Sequence, residues 1–165
     1  AAPVNETKLT IKKLLREEAF DKLIKMAVND LIKEFNKSAV PKSFKFTSKY
    51  KTPEPKYSYS DLMRWMSEYG YKYVKGKFGF SGEKDYHALS EIQDTFYSTI
   101  LNLPKVGTRI KLIKMEDQWT KLKEGDLGTV LGYNPTPWGD LLMMKWDTGS
   151  SLDIDPNEDD YEVLS

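Results

Sequence analysis

Hydrophobic positions recur every three or four residues through the first third of the chain, between Ile11 and Phe35. This spacing places them along one broad face of an α-helix. Thr10 is a suitable N-cap, so we predict a helix from about Ile11 to about Asn36. We expect this apolar face to be covered by the rest of the chain or by a helical partner. A membrane is not favoured, because the polar face carries acidic residues as freely as basic ones.

The pattern is more mixed in the middle of the chain, where short strand and helix signals alternate. In chain order we predict a short strand around Phe44, Phe46 and Tyr50, a helix from Asp61 to about Tyr69 that Ser60 caps and Gly70 ends, a strand or hairpin over 71–82, and a helix from about Asp85 to Leu101. Aromatic residues are unusually dense in this part of the chain.

The last sixty residues change to short runs in which apolar and polar residues alternate between glycine, proline and acidic turns. We predict five strands, at about Arg109–Met115, Leu127–Tyr133, Leu141–Trp146, Ser151–Ile154 and Tyr161–Leu164. Five short strands suit a partly open, strongly bent antiparallel barrel, because closure protects the edges of a small sheet. Trp146 is expected to fill or cover the core of this barrel.

Several short motifs follow one another in this segment: GTRIKL at 107–112, MED at 115–117, GDLGTV at 125–130, KWDTGS at 145–150 and DDYEVL at 159–164. At this spacing, residues 106–165 resemble an uncharacterised SH3-like small-barrel family of phage and bacterial genomes, a domain of unknown function. They also resemble the KOW-like barrels of transcription and translation factors. The segment departs from the family at 134–138 and 153–155. The resemblance implies a fold and a phage connection, and it supplies no catalytic residue.

Together these patterns predict an α+β protein of two parts. Residues 1–105 form a helical, basic N-terminal region with short strands, for which we recognise no family, and residues 106–165 form a five-stranded SH3-like antiparallel β-barrel. The net charge of zero conceals an asymmetry between them: the first part has 19 Lys and Arg against 13 Asp and Glu, and the second has 6 against 12. The two parts either attract each other across an interface or face different partners.

Basic and aromatic residues together mark a candidate binding surface. Lysines dominate residues 37–56, where Glu54 is the only acid, and they recur among the aromatic residues of 71–80. Lysines neutralise phosphates and aromatic rings stack on bases, although such a charge run is also typical of a solvated surface. Trp119 and Trp138 fall in predicted loops, where they either form platforms for peptides or bases or cap the ends of the barrel. The candidate nucleic-acid or partner-binding residues are Lys42, Lys45, Lys49, Lys51, Tyr71, Tyr73, Lys75, Lys77, Trp119 and Trp138.

Acidic and amide residues alternate near the C-terminus, at Asp153, Asp155, Asn157 and Asp159, as in the first half of a calcium-binding loop. The pattern then fails, because Glu158 stands where such a loop needs glycine and Leu164 where it needs a bidentate glutamate. We therefore predict an acidic turn between two strands, suited to contact with a basic surface, and no metal site.

The chain offers little that is typical of an enzyme. It has no cysteine, which excludes thiol catalysis and thiolate metal sites, and His87 is its only histidine. Nucleotide-binding and nucleophile motifs are absent. We expect a non-enzymatic interaction or structural protein without a cofactor, such as a phage virion component or accessory protein, that docks on protein subunits through the barrel and the first helix. The alternative is a nucleic-acid-binding modulator of transcription or translation.

The start of the sequence has neither the basic nor the apolar stretch of a secretory signal, and no run approaches eighteen apolar residues. We therefore expect a protein of the virion or the host cytoplasm that is not secreted by a signal peptide and does not span or bind a membrane.

Overall fold

A computed structural model of the protein describes residues 2–45 and 54–164. Its helices and strands, in chain order, are α1 (Ala2–Lys37), β1 (Ser43–Lys45), β2 (Glu54–Lys56), α2 (Tyr59–Trp65), a π-helical turn (Met66–Gly70), α3 (Tyr71–Phe78), α4 (Tyr86–Leu101), β3 (Arg109–Lys114), β4 (Leu127–Thr136), β5 (Gly139–Trp146) and β6 (Asp160–Leu164). The predicted α+β class with a helical N-terminal region is confirmed. Among the helices described, none carries an apolar stretch sufficient to cross a membrane.

Helix α1 is longer than the sequence predicts, because it begins at Ala2 and not near Ile11. Its second half packs against the protein through a buried face that includes Ala27, Leu31 and Phe35. From residue 8 to residue 22, by contrast, every side chain is exposed. The rest of the chain therefore covers the apolar face only along the second half of the helix, and coverage of the first half by a partner stays a prediction.

The chain stays helical from Tyr59 to Phe78, contrary to two predictions. Ser58, and not Ser60, is the N-cap of α2, where its side chain accepts a hydrogen bond from the Asp61 amide at 3.2 Å. Gly70 does not end the helix: it has helical torsion angles, with φ −59° and ψ −43°. A carbon atom at its Cβ position would lie 2.5 Å from the sulfur of Met66 and 2.9 Å from the ring of Trp65, so any larger residue here would displace these side chains.

The strand or hairpin predicted over 71–82 is wrong, because Tyr71–Phe78 forms α3. The π-helical turn that precedes α3 is confirmed by the hydrogen bond from the Tyr71 amide to the Met66 carbonyl, five residues earlier. The predicted helix near 85–101 is present as α4, which ends at Asn102 in the left-handed conformation. The short strand predicted around Phe44 is present as β1, which pairs antiparallel with β2, while Phe46 and Tyr50 lie outside the described residues.

Aromatic rings form the centre of the helical region. The ring of Phe35 makes edge-to-face contacts with the rings of Tyr57, Trp65 and Phe96, at centroid distances of 4.9, 5.2 and 5.5 Å. Phe35 and Phe96 are almost completely buried. This geometry is the one that aromatic quadrupoles favour, so the cluster joins α1, α2 and α4.

The C-terminal part is an antiparallel sheet of four strands in the order β5-β4-β3-β6. The predicted strand Ser151–Ile154 is reduced to one bridge, between Leu142 and Ile154, so five strands are not formed and the closed barrel is not shown. Trp146 lies in the core as predicted, 1% exposed, and its indole nitrogen donates to the Leu152 carbonyl at 2.8 Å. That hydrogen bond and the bridge hold the chain after β5 against β5.

The sheet meets the helical region through three tyrosines and one aspartate. The ring of Tyr59 contacts those of Tyr97 and Tyr133, with centroids 5.1 and 5.3 Å away. The Tyr133 hydroxyl donates to the Pro104 carbonyl at 2.7 Å. Asp140 of β5 accepts a hydrogen bond from the Tyr59 amide at 3.0 Å, at the N-terminus of α2 where a negative charge is favourable. These contacts make the buried side chains of both parts one cluster.

Candidate functional site

The hairpin between β4 and β5 presents a tryptophan to solvent. At its tip the Thr136 hydroxyl accepts from the Trp138 amide at 3.2 Å and donates to the Gly139 carbonyl at 2.6 Å. Gly139 has φ +122°, a conformation that side chains with a Cβ rarely adopt. The turn is therefore specified locally, and it places Trp138 at the surface with 60% of its side chain exposed.

A groove with acidic walls lies on one side of Trp138. It has a volume of about 290 Å³, and we call it the acidic groove. The residues that line it are Met115, Asp117, Thr136, Trp138, Leu141, Leu152, Asp153, Asp155 and Asp159. Four aspartates thus line the groove together with three apolar side chains, and this lining, all of it within the described part of the chain, includes no lysine or arginine.

Asp159 fixes the shape of the acidic groove. Its side chain is 8% exposed, and its two oxygens accept hydrogen bonds from the Glu116 amide at 2.9 Å and the Asp155 amide at 2.8 Å. Burial raises the pKa of the Asp159 carboxyl, and the two backbone hydrogen bonds oppose that rise. Because it joins the loop after β3 to the turn before β6, Asp159 is a structural residue of the groove.

The alternating residues that resemble a calcium loop do not converge on one point. Asp153 accepts from the amide of the Asn134 side chain at 3.3 Å, and Asp155 accepts from the backbone amide of Asn157 at 3.0 Å. Asp159 points inward instead. In the residues that the structure describes, no group of three or more histidine, aspartate or glutamate side chains is placed to hold a metal ion.

A second depression, which we call the basic cleft, separates the helical region from the sheet. Its volume is about 510 Å³, and its lining includes Lys42, Lys56, Tyr57, Asn157 and Tyr161. The ammonium group of Lys42 lies 5.1 Å from the centre of the Tyr57 ring, within cation–π range. The cleft therefore combines two positive charges with two phenol rings.

Trp138 lies at the acidic groove and beside the basic cleft. Besides the acidic groove, it lines a small pocket of about 70 Å³ that also contains Lys56 and Tyr57 of the basic cleft. Of the ten candidate binding residues, Lys42 thus lines the basic cleft, and Trp138 lines the acidic groove and this small pocket. The small pocket shares Lys56 and Tyr57 with the basic cleft, so the ring of Trp138 lies close to both depressions.

The candidate residues of α3 are engaged within the protein. The Tyr73 hydroxyl donates to Asp30 of α1 at 2.6 Å, and the ammonium group of Lys77 lies 2.7 Å from the same oxygen. The hydrogen bond from Lys77 is the main cause that lowers the pKa of Asp30. Tyr71 donates to Gln93 of α4, and the ammonium of Lys75 lies 6.0 Å from the Tyr71 ring. Tyr71, Tyr73 and Lys77 thus hold α3 against α4 and α1, whereas the Lys75 contact lies within α3. None of the four lines either depression.

The remaining candidates are scattered. Trp119 is 86% exposed in the loop after β3, where its amide donates to Asp117 of the acidic groove at 2.9 Å, and it caps no end of the sheet. Lys45 ends β1, while Lys49 and Lys51 lie outside the described residues.

Sequence analysis missed most residues that line the two depressions. Lys56 and Tyr57 enter the basic cleft from one segment and Tyr161 from another, more than a hundred residues later, so no local pattern connects them. The groove carboxylates were visible as an acidic turn suited to a basic partner. Their apolar floor was not visible, because Met115, Leu141 and Leu152 are distant in sequence.

Comparison with known families concerns the part of the chain that carries the sheet. Residues 100–164 match DUF4314, a domain of unknown function. The DUF4314 match begins in the last turn of α4, slightly before the boundary we expected, and includes the acidic groove and one wall of the basic cleft. The resemblance to an uncharacterised domain is thereby confirmed. No curated protein and no solved structure matches the chain.

Proposed function

We propose that the protein is a non-enzymatic interaction protein that docks on other protein subunits. The observation that carries this proposal is the acidic groove, where three carboxylates besides the structural Asp159 and the exposed ring of Trp138 line the same depression as three apolar side chains. Carboxylates bind lysine and arginine by charge-assisted hydrogen bonds, and an indole ring attracts the same cations through its face. The partner we propose is a protein segment that carries basic residues next to apolar ones.

The size of the acidic groove sets the extent of contact. A volume of about 290 Å³ accommodates a few side chains and no folded domain. An extended segment fits best, with one basic side chain toward Asp117 or Asp153 and an apolar one on Leu141. Exposed aromatic residues contribute disproportionately to such interfaces, so Trp138 is proposed to supply much of the affinity.

We further propose that the DUF4314-matching segment is an SH3-like small barrel from a phage protein of the virion or of the host cytoplasm. In support, the bridge from Leu142 to Ile154 bends the chain after β5 back onto the sheet, as partial closure requires. The phage assignment rests on the motif resemblance at 106–165. It is compatible with a protein whose role is to bind other subunits.

Neutralising the acidic groove is expected to weaken binding of basic peptides. The full chain is titrated into fluorescent ten-residue peptides that combine leucine and proline with lysine or arginine, and anisotropy reports binding. Asp117→Asn with Asp153→Asn should raise Kd by about tenfold, and Trp138→Ala by about 10- to 100-fold. Glu124→Gln, an exposed carboxylate outside the groove, is the matched control and should change nothing. Equal Kd values for the wild type and both groove variants would refute the proposal.

A second candidate function follows from the basic cleft. Its lysines and phenol rings, with Trp138 alongside, are suited to phosphates and stacked bases, as in proteins that bind single-stranded nucleic acid. We propose this surface for the nucleic-acid alternative, a modulator of transcription or translation. Three further candidate residues, Lys45, Lys49 and Lys51, lie in the sequence between Lys42 and Lys56, the two lysines that line the basic cleft.

This candidate predicts binding that salt weakens. Affinity for a single-stranded oligonucleotide should fall steeply between 50 and 200 mM salt, because lysine contacts release counterions from phosphates. Lys42→Glu with Lys56→Glu should abolish retardation in a gel, as should reversal of Lys45, Lys49 and Lys51. Lys84→Glu, an exposed lysine that does not line the cleft, should leave it unchanged. Retention of binding by the cleft variant would exclude the cleft as the nucleic-acid site.

A further inference from the structure

A groove lies between α1 and α4, and no helix among residues 2–45 and 54–164 fills it. Its volume is about 630 Å³, and we call it the α1–α4 groove. Its lining residues are Asp21, Ile24, Lys25, Val28, Asn29, Ile32, Glu91, Thr95, Thr99 and Lys105. Three aliphatic side chains of α1 and two threonines of α4 alternate with charged residues. This is the composition of a site that receives an amphipathic helix.

The same chain contains an amphipathic helical segment, in the first half of α1, whose apolar side chains are exposed. The free half of α1, which we define as residues 11–22, exposes every side chain, although the ring of Phe20 contacts that of Phe80. Three of its apolar side chains, Ile11, Leu14 and Leu15, are 50%, 58% and 59% exposed. The packed second half of α1 extends the helix into this segment, but most helices are stabilised by packing of their apolar face. A partner surface that covers Ile11, Leu14 and Leu15 would therefore stabilise the free half.

The free half and the α1–α4 groove use the same side of α1. Leu14 and Ile32 are eighteen residues apart, which is about five turns at 3.6 residues per turn, so they point in the same direction. Leu14 and Val28 differ by only about 40° around the helix axis by the same measure. When two identical helices lie antiparallel, the first half of each meets the second half of the other, and one common face suffices for both.

We propose that the partner of this face is a second copy of the chain. The two α1 helices pair antiparallel about a twofold axis, and the free half of each fills the α1–α4 groove of the other. This inference deepens the proposed function, because it identifies the subunit that docks at α1 as a second copy of the chain. It rests on the proposed function only in that both require a protein partner. Such isologous interfaces are the commonest way in which identical chains associate.

The charged residues of α1 favour one alignment of the two antiparallel α1 helices along their length. If the axis passes between Asp21 and Lys22, Glu18 faces Lys25 of the second copy, and Asp21 faces Lys22 of the second copy. Symmetry makes each of these opposite-charge contacts twice. In the same register Ile11 faces Ile32 of the second copy, and Leu14 lies over its Val28 and Asn29. A parallel pair in register would instead place Glu18 against Glu18 and Asp21 against Asp21.

The oligomeric state tests the interface. Light scattering and sedimentation of the full chain should give the mass of a dimer that dissociates on dilution. Leu14→Glu should yield a monomer, because it places a carboxylate in the aliphatic lining of the groove. Arg16→Glu changes an exposed residue about 160° away around the helix and should leave the dimer intact. A wild-type chain that stays monomeric at every concentration, or a dimer that Leu14→Glu does not affect, would overturn the proposal.

Charge exchange and cross-linking test the register. Glu18→Lys or Lys25→Glu alone should weaken dimerisation by about tenfold, since each makes two like-charge contacts, and the two together should restore it. Because the chain has no cysteine, Glu18→Cys with Lys25→Cys should form an inter-subunit disulfide on oxidation, whereas Glu18→Cys alone should not. Cross-linking by the single variant as fast as by the pair would contradict the antiparallel register.

The experiments also separate this inference from the proposed function. Leu14→Glu lies outside the acidic groove and should leave peptide binding unchanged, while Asp117→Asn and Asp153→Asn should leave the dimer unchanged. A wild-type chain that stays monomeric and still binds basic peptides refutes the dimer alone. A wild-type dimer that binds none of them refutes the acidic groove alone.

Discussion

Replacing Phe35 with alanine is expected to destabilise the protein by about 3–5 kcal/mol. Phe35 is 1% exposed and contacts three aromatic rings from α2, α4 and the segment between β2 and α2. Its removal leaves a cavity that these rigid rings cannot close, and it also removes three edge-to-face contacts. Small domains have only about 5–15 kcal/mol of stability, so urea denaturation should show a large fall in the midpoint.

The same substitution elsewhere on α1 provides the control. Phe20 is 41% exposed and touches one ring, that of Phe80, at a centroid distance of 6.3 Å. Phe20→Ala should therefore cost about 1 kcal/mol or less, because it leaves no enclosed cavity. A comparable loss of stability from both variants would show that the aromatic cluster around Phe35 is not the packed centre we describe.

Trp146→Ala is expected to lower the free energy of unfolding by a similar amount, about 3–5 kcal/mol. Trp146 is 1% exposed, and its indole nitrogen donates a hydrogen bond to the Leu152 carbonyl. The variant therefore leaves a cavity in the core and lacks a hydrogen bond that fixes the chain after β5. The loss should also loosen the Leu142 to Ile154 bridge that the same chain segment forms. Urea denaturation gives the free energy, and hydrogen exchange of the Ile154 amide gives the local effect.

Trp138→Ala is the matched control in the same sheet. Its side chain is 60% exposed at the hairpin tip, so its removal should change the free energy of unfolding by about 0.5 kcal/mol or less. Fast exchange of the Ile154 amide in Trp146→Ala, with protection retained in Trp138→Ala, is the expected pair of results. Retained protection in Trp146→Ala would mean that the indole does not hold the chain after β5.

Periodicity over long stretches predicted the fold well. Helix α4 and strands β3, β4, β5 and β6 lie close to their expected positions, because the apolar spacing in each agrees with its final environment. The failure at 71–80 has a local cause. Tyr71 and Tyr73 alternate as in a strand, but Tyr69, Tyr73 and Lys77 also follow a four-residue helical spacing, and the rings of Tyr69 and Tyr73 stack 5.8 Å apart. Contacts with Asp30, which no local pattern contains, favour the helix.

The candidate site was predictable only in part. The acidic turn near the C-terminus and the exposed position of Trp138 could be inferred from local composition and turn residues. The position of Trp138 between two depressions of opposite charge depends on how the sheet packs against the helical region. The tyrosine contacts and the Asp140 hydrogen bond that set this packing join residues far apart in the chain.

The π-helical turn at Met66–Gly70 sets the direction in which α3 presents its side chains. A turn with hydrogen bonds to the fifth residue holds one residue more than an α-helical turn, and one residue rotates a helix by about 100°. The extra residue therefore rotates the side chains of α3 about the helix axis relative to those of α2. The apolar side of α2 packs into the core through Trp65. Because α3 is rotated relative to α2, the side chains of Tyr73 and Lys77 contact Asp30 of α1. A chain shortened by one residue in this turn would keep a regular helix and aim both side chains away from α1.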